Sequence, residues 1–507
     1  MNAPKTPQLC MSKARLRANV IAGACLALLL AAAAARAQAQ TFTLLHGFAG
    51  APNDGAIPAA GLVADATGNH YGTTAFGGLT NCGALGEVGC GTLFKLDSSG
   101  GETVLHKFAG ADGAFPAAGL LMDSAGNLYG TTVNGGSAGF CGNFGCGIVF
   151  KLSPSGIFTL LYAFSGGSDG GNPTAGLISD TAGNLYGTTG FGGNFGIGVV
   201  FKLDPTNHET VLHTFNGADG AEPSAPLIMD SAGNLYGTTF RGGASDSGTI
   251  FKVNSSTGAF TVLHSFTGST EGGHLGAGLL MDAGGNLYST TESGGTGGAG
   301  TVFKLDPVSD ALTVLHSFTG SGDGGNVPLE GIPEAGLIMD APGNLYGTTF
   351  RGGTGSLGIV FKLDSVTSNE TVLHNFTGGS DGSGPLAPLL LDAAGNLYGT
   401  ASSLMTSGLG AVFKLSVQTP QQATQAVINS VNTLFFAGVL NGGQDNSLVT
   451  QLQHAITMMN AGKNAGAIGN LQSFISEVND LLSSGVLLPS QAAPLINAAQ
   501  TVIARLS

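Results

Sequence analysis

Residues 122–132 read MDSAGNLYGTT, and six variants of this stretch recur along the 507-residue chain. The tyrosine of the stretch marks the repeat, and successive copies lie 50 to 58 residues apart: Tyr71, Tyr129, Tyr186, Tyr236, Tyr288, Tyr346 and Tyr398. Internal repetition at this length is typical of solenoids and propellers. The spacing therefore predicts seven copies of one structural unit.

Each unit contains four short segments with the composition of β-strands. In one unit they read AGLLMD, NLYGTT, GIVFKL and FTLLYAF, and Gly, Asp or Asn residues separate them. Asp123 ends the first segment, and Gly126 and Asn127 supply the left-handed turn residues of a hairpin. Four short antiparallel strands repeated seven times predict a seven-bladed β-propeller over residues 40–416.

The two ends of the repeat array predict a closed ring. The array begins at Thr41 with TFTLLHGF, which matches the fourth strand of a unit, and ends at Ser416 with AVFKLS, which matches the third. The N-terminal strand would then complete the seventh blade and remove an open sheet edge. A linear β-solenoid is the alternative, but it gives no reason for the offset between the ends.

Residues 1–39 have the pattern of a signal peptide. Basic residues precede an apolar run over residues 18–35, and Ala-Gln-Ala at 37–39 offers a cleavage site. The alternatives are an uncleaved membrane anchor, for which the run is short, and lipidation at Cys25. We expect a secreted, periplasmic or cell-surface protein with no membrane span after cleavage.

The character of the sequence changes after the repeats. Residues 417–424 form a Gln- and Thr-rich linker, in which Pro420 is a candidate helix start. Residues 425–507 carry apolar residues at helical spacing, such as Leu471, Phe474 and Val478. This pattern predicts a small bundle of three or four antiparallel helices. The fold class is therefore mainly β, with a helical bundle after the propeller.

The charge of the mature chain limits its partners. Loss of residues 1–39 leaves 12 basic against 31 acidic residues, a net charge of −19. Such a chain repels polyanions, and this excludes nucleic acid as a partner. The partners that remain are an extracellular ligand or a surface component, either a glycan or a protein.

Four cysteines follow the signal peptide, in the same loop of two successive repeats. An oxidising compartment and short spacing predict the disulfides Cys82–Cys90 and Cys141–Cys146. Pairing across the two loops is the alternative. Metal binding is disfavoured because neither loop contains a histidine.

Histidine and lysine recur at fixed positions of the repeat. The histidines end the fourth segment, with Tyr162 in one unit: His46, His106, His213, His264, His316 and His374. Because each blade holds one, we interpret them as packed, hydrogen-bonded residues between blades rather than as metal ligands. The lysine after the phenylalanine of the third segment is interpreted as a solvated or cross-strand-paired ladder position rather than as an active-site residue.

The loop after the fourth segment carries an acid followed by glycine in all seven units. The main interpretation is a glycine-rich turn between blades. The alternative is Ca²⁺ binding by carboxylate and carbonyl oxygens. Asp54 and Glu271 belong to this set, and the candidate metal ligands are Asp112, Asp169, Asp219, Asp323 and Asp381. No other cofactor is expected.

The sequence contains no nucleophile elbow, phosphate loop or HExxH motif, so we expect no catalytic residues. The prediction is a non-enzymatic propeller that binds through its irregular loops, residues 81–89, 138–145, 326–332 and 401–408. The alternatives are a structural surface component and a lyase or hydrolase acting on glycans or lactones at the central axis. An enzyme would need residues that break the repeat near the axis, and the candidates are Glu87, His274, Glu330 and Glu334.

Two family resemblances accompany these patterns. The unit AGLLMDSAGNLYGTT…GTVFKLD…ETVLHSFTG resembles the GloVer tandem repeat of exported bacterial proteins, which implies a propeller-like fold and no established activity. The pattern LNGGQDNSLVTQLQHAI…LQSFISEVNDLLSSGVLLPSQAAPLI resembles the FIMAH module of secreted bacterial surface proteins. That second resemblance implies an accessory or attachment role for residues 425–507.

Overall fold

The computed structural model describes residues 40–506 except 81, 83–88, 137–138, 143, 321, 325–334 and 417–419. The predicted signal peptide with Cys25, the stretch 326–332, and Glu87, Glu330 and Glu334 lie outside the described residues. The described chain divides into two compact units, Phe42–Ser416 and the helices that follow.

Phe42–Ser416 forms a seven-bladed β-propeller of four-stranded antiparallel sheets, as predicted. Strand β1 is Thr41–Gly47 and β2 is Gly55–Ala56. Blade 1 consists of β3 (Val63–Ala64), β4 (His70–Thr74), β6 (Thr92–Leu96) and β7 (Glu102–Lys107), and β5 (Phe76–Gly77) pairs with β2. Blade 2 consists of β8 (Leu121–Met122), β9 (Leu128–Thr132), β10 (Ile148–Leu152) and β11 (Phe158–Ala163). Blade 3 consists of β12 (Ile178–Ser179), β13 (Leu185–Thr189), β14 (Val199–Leu203) and β15 (Glu209–Thr214).

The remaining blades repeat this order. Blade 4 consists of β16 (Ile228–Met229), β17 (Asn234–Thr239), β18 (Thr249–Asn254) and β19 (Phe260–Ser265). Blade 5 consists of β20 (Leu280–Met281), β21 (Leu287–Thr291), β22 (Thr301–Asp306) and β23 (Ala311–Ser317). Blade 6 consists of β24 (Ile338–Met339), β25 (Leu345–Thr349), β26 (Ile359–Leu363) and β27 (Glu370–Asn375). Blade 7 consists of β28 (Leu390–Leu391), β29 (Leu397–Ala401), β30 (Ala411–Ser416) and β1.

The N-terminal strand completes blade 7, which confirms the predicted closure. The hydrogen-bonded order of this sheet is β1-β30-β29-β28. Phe42 of β1 stacks on His374 of blade 6, with ring centroids 4.3 Å apart. On the other side, the Thr400 hydroxyl donates to the carbonyl of Ala60 at 3.0 Å, just before blade 1. Blade 7 therefore contacts both of its neighbours, and β1 pairs the edge of β30 that would otherwise be open.

A ring of small residues marks the centre of the propeller. In each blade this small residue lies two positions before the first strand. The residues of neighbouring blades are close together, since a Cβ added at Gly61 would lie 3.1 Å from the carbonyl oxygen of Pro388. Comparable approaches within 4 Å link six of the seven neighbouring pairs. This central ring consists of Gly61, Gly119, Gly176, Pro226, Gly278, Gly336 and Pro388. The first strand of each blade is therefore the innermost one.

The stretch that recurs in every repeat, MDSAGNLYGTT at residues 122–132, forms a hydrogen-bonded hairpin. Asp123 accepts from the backbone of Ala125 and Asn127, both at 2.9 Å, from the Asn127 side chain at 2.8 Å and from the Tyr129 hydroxyl at 3.1 Å. Burial raises the pKa of Asp123, but the hydrogen bonds from Asn127 and Tyr129 leave it below the ordinary value. The equivalent tyrosine–aspartate bond, 2.9–3.2 Å, forms in every blade.

The repeated lysine lies across from this tyrosine. Lys151 pairs with Tyr129 in the register of β9 and β10, and its Nζ is 5.4 Å from the ring centroid. All seven blades contain this cation–π pair, at 5.2–5.9 Å. The predicted cross-strand ladder position is confirmed.

Phenylalanines fill the space between blades. Phe150 of β10 is fully buried and meets Phe108, at the end of blade 1, edge to face at 5.4 Å. A Cβ at Gly130 of β9 would lie 2.5 Å from Phe150 Cζ, so a larger residue there would displace the ring. The glycine of NLYGTT therefore serves interblade packing, and each buried phenylalanine contributes about 3 kcal/mol through burial.

The C-terminal residues form four helices: α1 (Pro420–Phe436), α2 (Gly442–Asn460), α3 (Asn464–Ser483) and α4 (Pro489–Leu506). Leu471, Phe474 and Val478 lie in the shared core, as their spacing predicted. Helix α1 begins at Pro420, inside the predicted linker 417–424, because proline is well suited to the first turn of a helix. Among the described residues, none of the helices combines the length and apolar character needed to cross a bilayer.

Candidate functional site

The antiparallel blades place two kinds of connection at opposite ends of the sheets. Tight hairpins such as residues 123–127 join the first strand to the second and the third to the fourth. Longer loops join the second strand to the third, and the fourth strand to the next blade. We call the end with the longer loops the loop face and the other end the hairpin face. The loop face is the more variable in sequence and is the natural location for a site.

Blades 2 and 3 present exposed aromatic side chains on the loop face. Phe140 is 85% exposed, Phe144 46%, Phe191 53% and Phe195 64%, and they are the only exposed phenylalanines among the described residues of the propeller. We call these four the aromatic patch. At the position of Phe144 and Phe195, blades 4, 5 and 6 have Ser245, Gly297 and Gly355. The patch is therefore a property of two blades and not of the repeat.

The loop that carries Phe140 and Phe144 is held in place. The structure joins Cys141 to Cys146, whose Cα atoms are 5.2 Å apart, and joins Cys82 to Cys90, at 5.4 Å, in blade 1. The Phe140 amide donates to the carbonyl of Ser165 at 2.9 Å. A Cβ added at Gly167 would lie 3.3 Å from Phe140 Cε2, so one edge of the ring lies against this glycine loop.

The loop of Phe191 and Phe195 connects to the same glycine segment. The Phe191 amide donates to the carbonyl of Gly171 at 3.1 Å, and the Gly193 amide donates to that of Gly167 at 2.8 Å. The two loops therefore share one support, and the aromatic patch is one surface. The predicted binding loop 138–145 supplies Phe140 and Phe144 to the aromatic patch, whereas sequence reasoning missed Phe191 and Phe195.

The repeated histidine and the repeated loop acid meet within each blade. His106 Nε2 is 2.9 Å from Asp112 Oδ2, and the corresponding distances for His213–Asp219 and His374–Asp381 are 3.0 and 3.1 Å. In blade 2 the Tyr162 hydroxyl donates to Asp169 at 3.1 Å. Sequence reasoning treated these two positions separately, and the structure joins them as one pair, formed between the fourth strand of a blade and the loop that follows it.

The same aspartates also hold their own loops. Asp381 accepts from the backbone of Thr377 at 2.9 Å and from its hydroxyl at 2.6 Å. Asp323 does the same with Thr319, at 2.9 and 2.6 Å. The five candidate Ca²⁺ ligands lie on five different blades, so the structure does not bring them together: Asp112, Asp169, Asp219, Asp323 and Asp381. Each lies beside its own histidine or tyrosine.

We call the boundary between two neighbouring blades a seam. One seam holds three side chains that could bind a metal ion. Among the described residues, a set of three such side chains within 4.8 Å of one another occurs at His46, Asp54 and Glu102. His46 lies on the closing strand β1, Asp54 in the loop that follows it, and Glu102 at the start of β7 in blade 1. Of these, sequence reasoning singled out His46 and Asp54 only as members of repeated sets.

A second group of unusual residues lies beside the central ring. In five blades, the residue four positions before the central-ring residue in sequence is not glycine and still has a left-handed backbone, with φ of 52° to 60°: Ile57, Phe115, Asn172, Glu222 and His274. Such strain is costly and is concentrated at functional sites and tight junctions. We call these positions the rim. Their identities differ from blade to blade, in contrast to the rest of the repeat.

Blades 4 and 5 place ionisable residues at the rim. Arg241 Nε is 3.6 Å from Glu222 Oε2, and His274 Nδ1 is 2.9 Å from Ser293 Oγ. Glu292 is 2% exposed, and burial raises its pKa to about 8. Sequence reasoning identified His274 as a break in the repeat but missed Glu292. The signal was present, because six other repeats have a neutral residue at that position: Ala75, Val133, Gly190, Phe240, Phe350 and Ser402.

A cleft of about 540 Å³ lies on the hairpin face between blades 5 and 6. Its lining includes Asp282, Tyr288, Lys304 and Asp364. These residues belong to positions that recur in the other blades and form the hairpin network described above. The cleft is therefore a product of the repeat, and it is a weaker candidate than the loop face.

Comparison with known proteins assigns the family. The model of the Gloeobacter/Verrucomicrobia repeat matches residues 138–336 and 328–474. The chain belongs to the Gloeobacter/Verrucomicrobia repeat family. These matches run from the loop after β9 in blade 2 to residue 474 in helix α3, and they agree with the GloVer resemblance of the sequence. No curated protein matches the chain.

Several solved structures are similar to this repeat protein at low identity. A polysaccharide lyase of family PL25, an ulvan lyase, is 10% identical over 75% of this chain and 96% of its own, with a TM-score of 0.44. A gluconolactonase from Xanthomonas campestris is 16% identical over 53% and 78%, with a TM-score of 0.33. TolB from Acinetobacter baumannii is 14% identical over 55% of this chain, which spans 58% of TolB, with a TM-score of 0.35.

Proposed function

We propose that this repeat protein is an exported, non-enzymatic binding protein whose aromatic patch binds a glycan at the cell surface or in the surroundings. The observation that carries the proposal is the exposure of Phe140, Phe144, Phe191 and Phe195 in two adjoining loops of one face. Exposed apolar groups clustered in this way mark interaction sites, because burying them in the core would be more favourable.

The support of the patch favours a flat, rigid ligand. Phe140 and Phe191 are fixed through backbone hydrogen bonds to one glycine segment, so little conformational entropy is lost on binding. An aromatic ring offers a flat apolar face, which matches the C–H face of a sugar ring, and the four rings extend over two blades. A chain of several sugar units would contact more of the patch than a single sugar.

Export and attachment complete the proposal. Cleavage near residue 39 would deliver the chain to an oxidising compartment, which suits the pairs Cys82–Cys90 and Cys141–Cys146. The FIMAH-like helices α1 to α4 would attach the protein to a surface component. The loss of five basic residues with the signal leaves the strongly acidic mature chain calculated above.

The test is a glycan-array screen of residues 40–507, followed by calorimetry on the strongest ligand. Phe140→Ser with Phe195→Ser should weaken binding about 30-fold, because two aromatic contacts of about 1 kcal/mol each are lost. Val308→Ser with Val366→Ser is the matched control, since these residues are 95% and 89% exposed on hairpin-face turns. Equal affinity of both double variants, or binding to a protein partner and to no glycan, would reject the proposal.

A second candidate function is catalysis on glycans or lactones, as a lyase or hydrolase at the central axis. The observation that favours it is the rim of blades 4 and 5. There His274 lies beside Ser293, and the residue before Ser293 is a buried carboxylic acid, Glu292, directly after β21. A histidine and a protonated acid can supply a general base and a general acid. Incubating each array ligand with the protein and measuring cleaved products tests this, and His274→Ala should abolish any turnover found.

A further inference from the structure

We propose that His46, Asp54 and Glu102 bind one divalent transition-metal ion of the Zn²⁺ type at the seam between blades 7 and 1, which we call the closing seam. His46 Nε2 is 3.3 Å from Asp54 Oδ2 and 3.9 Å from Glu102 Oε2. One ligand atom from each of the three residues lies within 4.8 Å of the others, so a single ion can contact all three after small side-chain movements. The proposal concerns a site separate from the aromatic patch and does not depend on glycan binding.

Burial gives the three side chains few other partners. The exposed fractions of the side chains are 18% for His46, 12% for Asp54 and 14% for Glu102. Glu102 Oε1 is fully buried and has no hydrogen-bond partner in the described part of the chain. Asp54 is held in place by the amides of Ala49 at 2.7 Å and Gly55 at 2.6 Å. A cation would satisfy the unpartnered oxygen and offset the repulsion between two facing carboxylates.

The electrostatics of the seam agree with this geometry. Burial and the charge of Asp54 raise the pKa of Glu102 to about 7, although His46 and Lys107 act in the opposite direction. Lys107 directs its Nζ to the carbonyl of Pro52 at 2.8 Å and is not a competitor for the three ligands. In the absence of an ion, a proton on Glu102 would reduce the repulsion with Asp54. An ion would displace that proton, so binding should release protons and strengthen as the pH rises.

The other seams provide internal comparisons. In every seam, the histidine or tyrosine of one blade faces the residue that occupies Glu102's position in the next blade. In three seams this residue is a phenylalanine that stacks on the histidine ring: Phe158 on His106, Phe260 on His213 and Phe42 on His374. In the seam of His264 it is Leu312. At this position these four seams have an apolar side chain in place of a carboxylate, although His264 Nδ1 is 2.8 Å from Asp310 Oδ1 of the next blade.

Two further seams retain the glutamate, whose Oε1 is again buried without a hydrogen-bond partner among the described residues, but one lacks the histidine and the other has a wider spacing of the same three residue types. Glu209 faces a blade in which Tyr162 replaces the histidine, and Glu370 faces His316, whose Nε2 is 3.9 Å from Asp323. Neither forms a set of three groups as close as that of His46, Asp54 and Glu102 among the described residues. The closing seam is thus the one best arranged for an ion.

The ligand set selects the kind of metal. One imidazole and two carboxylates match the ligands of Zn²⁺ and related transition ions, whereas Ca²⁺ requires six to eight oxygens. Three protein ligands leave a position for water. The ion would join β1, the outer strand of blade 7, to β7 of blade 1 and would therefore fix the position of the strand that closes the ring by pairing with β30.

The experiment is calorimetric titration of ZnCl₂ into tag-free residues 40–507 after treatment with EDTA. We expect one ion per chain, proton release, and a rise of a few degrees in the thermal midpoint with Zn²⁺ but not with Ca²⁺. Glu102→Leu should weaken binding at least about 100-fold, since loss of an outer-sphere partner alone costs 10- to 100-fold. This variant should fold, because Leu312 occupies the same position in another blade.

His106→Gln is the matched control. It removes a histidine from the same interblade position, next to Asp112 and Phe158, and should leave Zn²⁺ binding unchanged. His46→Gln should abolish binding, and Co²⁺ in place of Zn²⁺ should give a visible spectrum in the parent protein that this variant lacks. No Zn²⁺ binding by the parent protein, unchanged binding by Glu102→Leu, or equal loss in His106→Gln would overturn the proposal.

Discussion

Replacing Glu370 by glutamine should stabilise the propeller in a pH-dependent way. Burial and the nearby charge of Asp323 raise the pKa of Glu370 from 4.5 to about 8. A folded-state pKa above the unfolded value means that the carboxyl contributes most to stability below pH 4.5 and that this contribution is lost as the pH rises to about 8. Glutamine keeps the shape of the side chain and removes the ionisation.

The magnitude follows from the displaced pKa. A shift of this size corresponds to about 5 kcal/mol if nothing relaxes, and the remaining solvent contact of Glu370 reduces it to about 2 kcal/mol. The free energy of unfolding of Glu370→Gln, relative to the parent, should therefore increase by about 2 kcal/mol between pH 5 and pH 9. Urea unfolding of residues 40–507, followed by circular dichroism at both pH values, measures this difference.

The control is Thr371→Ser on the same strand, because it removes no ionisable group and should give the same stability change at both pH values. If Glu370→Gln shows the same difference from the parent at pH 5 and at pH 9, the carboxyl does not titrate in this range. If the variant is less stable than the parent at pH 9, the assignment of a buried, repelled carboxylate is wrong.

Three further predictions concern closure, covalent links and the helices. Phe42→Ala should cost about 2 kcal/mol of propeller stability by urea unfolding, half the value for a fully buried phenylalanine, whereas Leu44→Ala on the exposed side of β1 should cost under about 0.5 kcal/mol; equal losses would contradict the packing of β1. Residues 40–507 should show no free thiol before reduction, and breaking the Cys141–Cys146 link with serines should cost about 2 kcal/mol by loop-closure entropy; a reactive thiol in the oxidised protein would refute the pairing. Phe474→Ala should cost about 3 to 5 kcal/mol in the unfolding of the helices, and a loss below about 1 kcal/mol would show that its site is not a packed core.

The architecture could be predicted because the sequence repeats. The offset between TFTLLHGF at Thr41 and AVFKLS at Ser416 has a simple explanation only if the ends pair in one blade, and β1 does pair with β30. The hairpins could be predicted because Asp123 and Asn127 act within a few residues of each other. The fold could therefore be predicted from local hydrogen bonding in the hairpins and from the number and order of the repeated strands.

The start of the helices shows the limit of composition. The Gln- and Thr-rich residues before 425 predicted a linker, yet α1 begins at Pro420. Proline fixes a helical φ and lacks only an amide that the first turn does not need. Pro420 was the helix start that the sequence indicated, and the boundary drawn from composition at residue 424 was four residues late.

The candidate sites were harder to predict because they depend on contacts between blades. His46, Asp54 and Glu102 come from two blades and a loop, and each belongs to a set that recurs elsewhere with a different partner. The alternation of glutamate and phenylalanine at the position of Glu102 is visible in the sequence, but its meaning requires the neighbouring histidine. Exposure of Phe191 likewise could not be read from a strand pattern, since Phe76 at the equivalent position packs on Phe115 at 4.3 Å.

The most direct test of the functional account is hydrogen–deuterium exchange of residues 40–507 with and without the strongest glycan found on the array. Binding at the aromatic patch predicts slower exchange in peptides spanning residues 139–147 and 190–198, on the loop face of blades 2 and 3. Protection confined to the hairpins, such as residues 123–127, or to helices α1 to α4 would contradict the account.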